Sequence, residues 1–154
     1  MGVILERGKS IEAASVPRAT DTRTAVVSGK RLWAGRIMSG LAILFLAFDA
    51  VGKLLRLAPV IEGSTQLGYP ASVVFGLGVV LLVCVVTYAI RSTSILGAIL
   101  LTGYLGGAIA THVRVGNPLF SHTLFPIYVA VLIWGGLYLR DARLRAIIPV
   151  RARD

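Results

Sequence analysis

Residues 71–90 read ASVVFGLGVVLLVCVVTYAI, twenty residues without a charge. At 1.5 Å per residue a helix of that length measures about 30 Å, one hydrocarbon thickness of a bilayer. The run therefore predicts a membrane-spanning helix. Immediately after it, Arg91-Ser92-Thr93-Ser94 is too short for anything but a tight turn between antiparallel helices, with Ser94 placed to cap a further span over 95–112. On the other side lies a polar loop with Pro59, Glu62, Gly63 and the turn-like Gly68-Tyr69-Pro70, preceded by a first span over about 32–55. That span opens at Lys30-Arg31-Leu32-Trp33, with Trp33 at interfacial height and Arg36 able to snorkel. A loop from Val113 to Thr123 leads to a fourth span over 124–139, the shortest, with Pro126 in its first turn, where a missing N–H is tolerated.

Composition agrees with that pattern. Of 154 residues 56% are hydrophobic and 15% charged, whereas about a quarter of a soluble domain is charged. The expected fold is an all-α membrane protein, an antiparallel bundle of four transmembrane helices over 31–148. Residues 1–30 lack sustained periodicity and read as a disordered tail. Residues 149–154 form a basic tail that should lie on the membrane surface.

The net charge of +9 would suggest nucleic acid in a soluble protein. Here the basic residues cluster at the ends of apolar segments, which points to lipid head groups as the partner and away from nucleic acid. Thirteen Lys and Arg fall on the side of the termini, against Lys53, Arg56 and Arg114 opposite. The positive-inside rule then places both termini in the cytoplasm of a multi-pass cell-membrane protein. Three spans with a re-entrant fourth would export the basic C-terminus, against the same rule.

Several chemistries are disfavoured. Met1 to Lys30 has no apolar core before a small-residue cleavage site, so no secretory signal is expected. A lone cysteine, Cys84, builds neither a disulfide framework nor a thiolate metal site within one chain. No GxSxG, HExxH or phosphate loop is present. A metal site from Asp49, His112 and His122 has suitable ligands but no diagnostic spacing, so neither a metal nor an intrinsic cofactor is expected.

Two patterns remain. On the third span Gly103, Gly107 and Thr111 share one face, and Gly106 with Ala110 continues an adjoining ridge. Such small-xxx-small spacing lets backbones approach closely in lipid, so these residues read as helix packing within the bundle, with a homodimer seam or clearance for a ligand as alternatives. Gly76, Gly78, Gly135 and Gly136 fit the same reading. The second pattern is polar. Asp49 and Lys53 stand at i, i+4 on the first span and can pair. An acidic residue inside a span is costly unless it faces the bundle interior, water or a partner. Because the first and third spans run the same way, His112 and Arg114 end at the level of Asp49 and Lys53. Tyr104 precedes His112 on the same stripe. Tyr69 and His122 could roof the resulting pocket. Asp49, Lys53, Tyr104, His112 and Arg114 together could bind a small polar or anionic molecule or relay a proton. The alternatives are an ion pair of Asp49 with Lys53 or Arg114 that locks two helices, and a His112 bonded to Asp49 or to a carbonyl.

The run from Leu100 through Thr102-Gly103-Tyr104-Leu105-Gly106-Gly107-Ala108 to Thr111-His112-Val113-Arg114, followed by Trp134-Gly135-Gly136-Leu137-Tyr138-Leu139-Arg140-Asp141 and Leu144-Arg145-Ala146, resembles the DoxX-like family of small bacterial membrane proteins. So does Phe48-Asp49-Ala50-Val51-Gly52-Lys53-Leu54 with Leu67-Gly68-Tyr69-Pro70. The similarity extends from about Arg31 to Pro149, and the family's usual Pro-Arg-Thr turn is replaced here by Ile90-Arg91-Ser92. The resemblance implies four membrane helices and a link to quinone-dependent sulfur oxidation or membrane redox complexes, with no agreed catalytic residues. The leading expectation is a small-molecule-binding or accessory component of such a complex, with a redox-protein partner or a second copy of the chain beside it. A quinone-interacting oxidoreductase subunit and a small oligomeric transporter are the alternatives.

Overall fold

The computed structural model describes residues 29–148. The chain forms α1 (Gly29–Leu54), α2 (Ala58–Gln66), α3 (Ala71–Ala89), α4 (Ser94–Val115), a π-helical turn (Leu119–Thr123), α5 (Phe125–Arg140) and α6 (Ala142–Ile147). Among the described residues four stretches are long and apolar enough to cross a membrane: α1, α3, α4 and the continuous run Leu119–Arg140. The protein is thus an all-α, multi-pass membrane protein built as a four-helix bundle. α1 packs against α3 and α5, and α4 closes the ring against the same two helices. Successive spans are antiparallel, so residues 29 and 148 share one end of the bundle, here the termini end. The opposite end is the distal end.

The core is narrow. Ala42, Leu46, Leu81, Leu101, Ile133 and Leu137 are buried along the axis, while Leu44, Phe48, Val83 and Val131 point outward. Large apolar side chains on the outside are unfavourable in water and expected in lipid, where they replace acyl-chain contacts at little cost. Close approach is achieved by missing side chains. A Cβ on Gly35 would stand 2.9 Å from the Gly136 carbonyl oxygen, and one on Gly136 2.8 Å from the Ser39 amide, so α1 and α5 meet backbone to backbone. Gly78 gives α3 the same access to α1, and Gly97 lets α4 abut the backbone of Tyr88. Tyr88 is fully buried, and its hydroxyl bonds both Ser39 Oγ and the Ile133 carbonyl at 2.9 Å. A buried hydroxyl must find such partners, and this one ties three spans together.

The structure departs from the sequence expectations at five places. α1 already includes Gly29 and Lys30, so the last two residues of the tail expected over 1–30 are helical; the rest of that expectation and the basic tail over 149–154 lie outside the described residues. The supposed polar loop contains α2, because Pro59 falls in the first helical turn, where its lost donor matters little. The third span continues to Val115, past the expected end at 112. Ser94 is the first helical residue rather than the cap; its hydroxyl turns back to the Arg91 carbonyl at 3.2 Å. Finally, a Cβ on Gly103, Gly106 or Gly107 would meet nothing within 4 Å, and Ala110 is exposed. Gly103, Gly106 and Gly107 of the third span therefore do not mediate close packing inside the bundle. Gly35, Gly78, Gly97 and Gly136 do.

Candidate functional site

Two helix ends shape the distal end. α2 stops in a Schellman motif: Gly68 adopts φ +84°, its amide bonds the Thr65 carbonyl at 2.8 Å, and the Tyr69 amide bonds Ser64 at 3.0 Å. α4 stops the same way, with Gly116 at φ +74° and the amides of Gly116 and Asn117 bonded to Val113 and His112 at 3.1 Å each. In both motifs the residue after the glycine is turned back over the helix it follows. Tyr69 and Asn117 are thereby brought to one place.

That place is an open-sided cavity of about 650 Å³ at the distal end, lined by α1, α2, α3, α4, the π-helical turn and α5. Its volume falls in the range of small-molecule sites, ~300–1,000 Å³. Phe45 and Leu46 of α1, Leu105 of α4, and Phe125 and Val129 of α5 supply apolar walls. Polar groups converge toward the distal mouth: Asp49, Lys53, Ser64, Gln66, Tyr69, Tyr104, Thr111, His112, Asn117 and His122. Gly103 and Gly107 also line it, which explains the open space above them. What lies beside them is the cavity and not a neighbouring helix.

Inside the cavity wall Lys53 Nζ reaches both carboxylate oxygens of Asp49 at 2.5 Å, the i, i+4 pair that the spacing suggests. It is the one ion pair among the described residues, with Lys53 the more enclosed partner, 13% exposed against 35% for Asp49. Pairing answers the cost of placing two charges at membrane depth. Tyr69 Oη lies 2.7 Å from Thr111 Oγ1, which in turn donates to the Gly107 carbonyl at 2.9 Å. The His112 ring is held by Asn117, Nδ2 to Nδ1 at 2.9 Å. With the amide nitrogen as donor, Nδ1 accepts, and the proton of a neutral ring sits on Nε2. His122 follows at a ring-centroid distance of 6.0 Å and bonds Ser121 Oγ at 2.8 Å. No third His, Cys, Asp or Glu joins the two imidazoles closely enough to hold a metal ion among the described residues. Tyr104 is half-buried and its hydroxyl has no hydrogen-bond partner among the described residues.

Asp49, Lys53, Tyr69, Tyr104, His112 and His122 thus line one cavity. Arg114 does not. It is exposed, donates to the Leu67 carbonyl at 2.8 Å and braces the turn at Gly68 from outside. The lock between Asp49 and Arg114 and the bond between His112 and Asp49 are replaced by the partners just described. His122 belongs to the head of the fourth span rather than to a loop, because the π-helical turn carries the helix back to Leu119. Ser64, Gln66 and Asn117 escape sequence reasoning. A glycine followed by a polar residue at a helix end, as at Gly116-Asn117, is the signal that could have pointed to the last of these.

The family model of the DoxX-like family matches residues 37–136. The chain belongs to the DoxX-like family. Every residue lining the cavity of this DoxX-like protein, from Phe45 to Val129, falls within the matched range. Comparison with curated proteins and with solved structures returns no significant match.

Proposed function

We propose that this DoxX-like protein is a non-enzymatic binding component of a membrane-associated redox complex, holding a small amphipathic molecule of the quinone class in its distal cavity. The observation that carries the reading is the division of that cavity into apolar walls at Phe45, Leu105, Phe125 and Val129 and a cluster of donors at its mouth. A ring with carbonyl oxygens fits such a division, since Lys53, the Tyr104 hydroxyl and the imidazoles are donors of the kind carbonyls need. The openings at Gly103 and Gly107 leave width for a planar ring against α4. With the termini in the cytoplasm, as the distribution of Lys and Arg favours, the cavity belongs to the outer leaflet.

The test is native mass spectrometry of the full chain released from mild detergent, after incubation with a short-tailed ubiquinone. One bound molecule per chain is expected, lost in Gly107→Leu, whose Cβ meets nothing within 4 Å and whose side chain would extend into the cavity. Equal retention by both proteins would overturn the reading. A second reading, a quinone-interacting oxidoreductase subunit, draws on the Asp49–Lys53 pair and the Tyr104 hydroxyl, which are proton-bearing groups beside the same space. Electrons would then come from a partner protein. Quinone-dependent activity of the purified complex that disappears in Asp49→Asn would favour it, whereas ligand uptake into proteoliposomes would favour transport.

A further inference from the structure

The termini end carries a second cluster. Arg36 of α1, Arg91 of the turn between α3 and α4, and Arg140 at the last position of α5 line a cleft of about 100 Å³ with Leu32, Ser94 and Asp141. Three arginines and one aspartate therefore line it. That carboxylate is engaged elsewhere, because Asp141 Oδ1 accepts the Arg143 amide at 2.8 Å and caps α6. Among the described residues no ion pair links it to an arginine.

Arg140 is the informative member. Its Nε and Nη2 atoms are buried and have no hydrogen-bond partner among the described residues. Its guanidinium carbon sits 5.2 Å from the centroid of the Tyr88 ring, and Tyr88 is itself pinned by Ser39 and Ile133. The cation is thus held against an aromatic face with two of its donors unanswered. Burying a guanidinium without an acceptor is costly, so an arrangement that maintains one is an arrangement for an anion. Ser94, the first residue of the 22-residue α4, lines the same cleft, and no side chain caps that helix. Its first-turn amides add partial positive charge.

We propose that Arg36, Arg91 and Arg140 hold a phosphate group, that of an anionic phospholipid at the termini-end surface of the bilayer. Guanidinium is the side chain suited to phosphate, since its planar fork offers parallel donors to two oxygens. The cleft has room for about three waters at ~30 Å³ each, enough for a phosphate group and too little for a larger polar ligand. Arg140 ends α5 and Ser94 begins α4, so the cleft lies at the termini end of the bundle, where the phosphates of one leaflet would meet the helix ends. The site is independent of the distal cavity, and Leu32, Arg36, Arg140 and Asp141 all fall outside the range matched by the family.

The experiment is native mass spectrometry of the full chain from micelles containing equal phosphatidylglycerol and phosphatidylcholine, paired with thermal unfolding in detergent with and without inorganic phosphate. One phosphatidylglycerol retained in preference to phosphatidylcholine is expected, with retention reduced about ten-fold in Arg140→Gln, the loss of roughly one charge-assisted hydrogen bond. Arg36→Gln and Arg91→Gln, at exposed positions with no core contact to disturb, should each reduce it as well. Stabilisation by inorganic phosphate equal to that by phosphatidylglycerol, and abolished in the same variants, would assign the site to a soluble phosphate and overturn the lipid. Retention unchanged in all three variants, as it would be were a carboxylate of the chain's own tails seated on Arg140, would overturn the site altogether.

Discussion

The Tyr69 hydroxyl lies 2.7 Å from that of Thr111 and ties the turn after α2 to the far end of α4. Because Thr111 spends its own proton on the Gly107 carbonyl, Tyr69 must be the donor. The roof of the cavity is therefore latched by one hydrogen bond from a side chain that the Schellman turn at Gly68 delivers. Tyr69→Phe keeps the ring and removes the latch. The expected cost is about 1 kcal/mol, felt as a several-fold faster release of a bound quinone with little change in the unfolding temperature, measured by ligand exchange in detergent. An unfolding temperature that falls while release stays unchanged would place Tyr69 in the fold rather than over the site.

The glycines divide into two classes with opposite expected outcomes. Gly97→Ala and Gly136→Ala drive a methyl group into the backbone of a neighbouring span, and overpacking of this kind costs about 1–3 kcal/mol or more. Gly103→Ala and Gly107→Ala project a methyl group into open space and remove glycine's entropic disadvantage in a helix, worth up to ~1 kcal/mol. Unfolding of the four variants in mixed micelles should place the first pair below wild type and the second pair at or above it. A marked loss of stability in Gly107→Ala would restore the helix-packing reading of the third span.

Much of this arrangement is legible in the sequence because the bilayer imposes a strong rule. Residues 71–90 are apolar enough to be read as a span, and α3 occupies 71–89. Asp49 and Lys53 are legible for a similar reason, since few side chains other than an i+4 neighbour can reach a carboxylate within a span. The third-span glycines are not, because small-xxx-small spacing looks the same whether a helix or a void lies opposite. α2 is hidden by Pro59 and Gly63, which punctuate a loop in most contexts but here fall within a helix. Arg114 stands at the right level on α4, yet helical level does not fix azimuth, and its guanidinium turns outward to Leu67.

Removing one member of the Asp49–Lys53 pair should be worse than removing both. Lys53→Met leaves the carboxylate in the cavity wall without its partner, at an expected cost of about 1–3 kcal/mol. The pair is only partly enclosed, which keeps the figure below the ~3–5 kcal/mol typical of breaking a fully buried pair. Asp49→Asn combined with Lys53→Met removes the charge as well as the bond and should recover at least half of the lost stability. Chemical denaturation of the two singles and the double closes the cycle. Additive losses would show that the two side chains do not support one another.

Gly68 and Gly116 both adopt positive φ, but only one of them is watched by a side chain. A Cβ at Gly116 meets nothing within 4 Å, whereas at Gly68 it would stand 3.1 Å from Arg114 Nη2. Gly116→Ala should therefore cost only the left-handed backbone, ~1–2 kcal/mol for an L-residue. Gly68→Ala carries the same backbone term and in addition pushes Arg114 off the Leu67 carbonyl that it holds at 2.8 Å. The brace on the turn bearing Tyr69 is lost with it. Gly68→Ala should accordingly release bound quinone faster than Gly116→Ala does at matched stability. Adding Arg114→Ala should leave Gly68→Ala no worse, because the guanidinium to be displaced is already gone. If Arg114→Ala instead weakens Gly68→Ala as much as it weakens wild type, the two residues act separately and the brace has no hold on the roof.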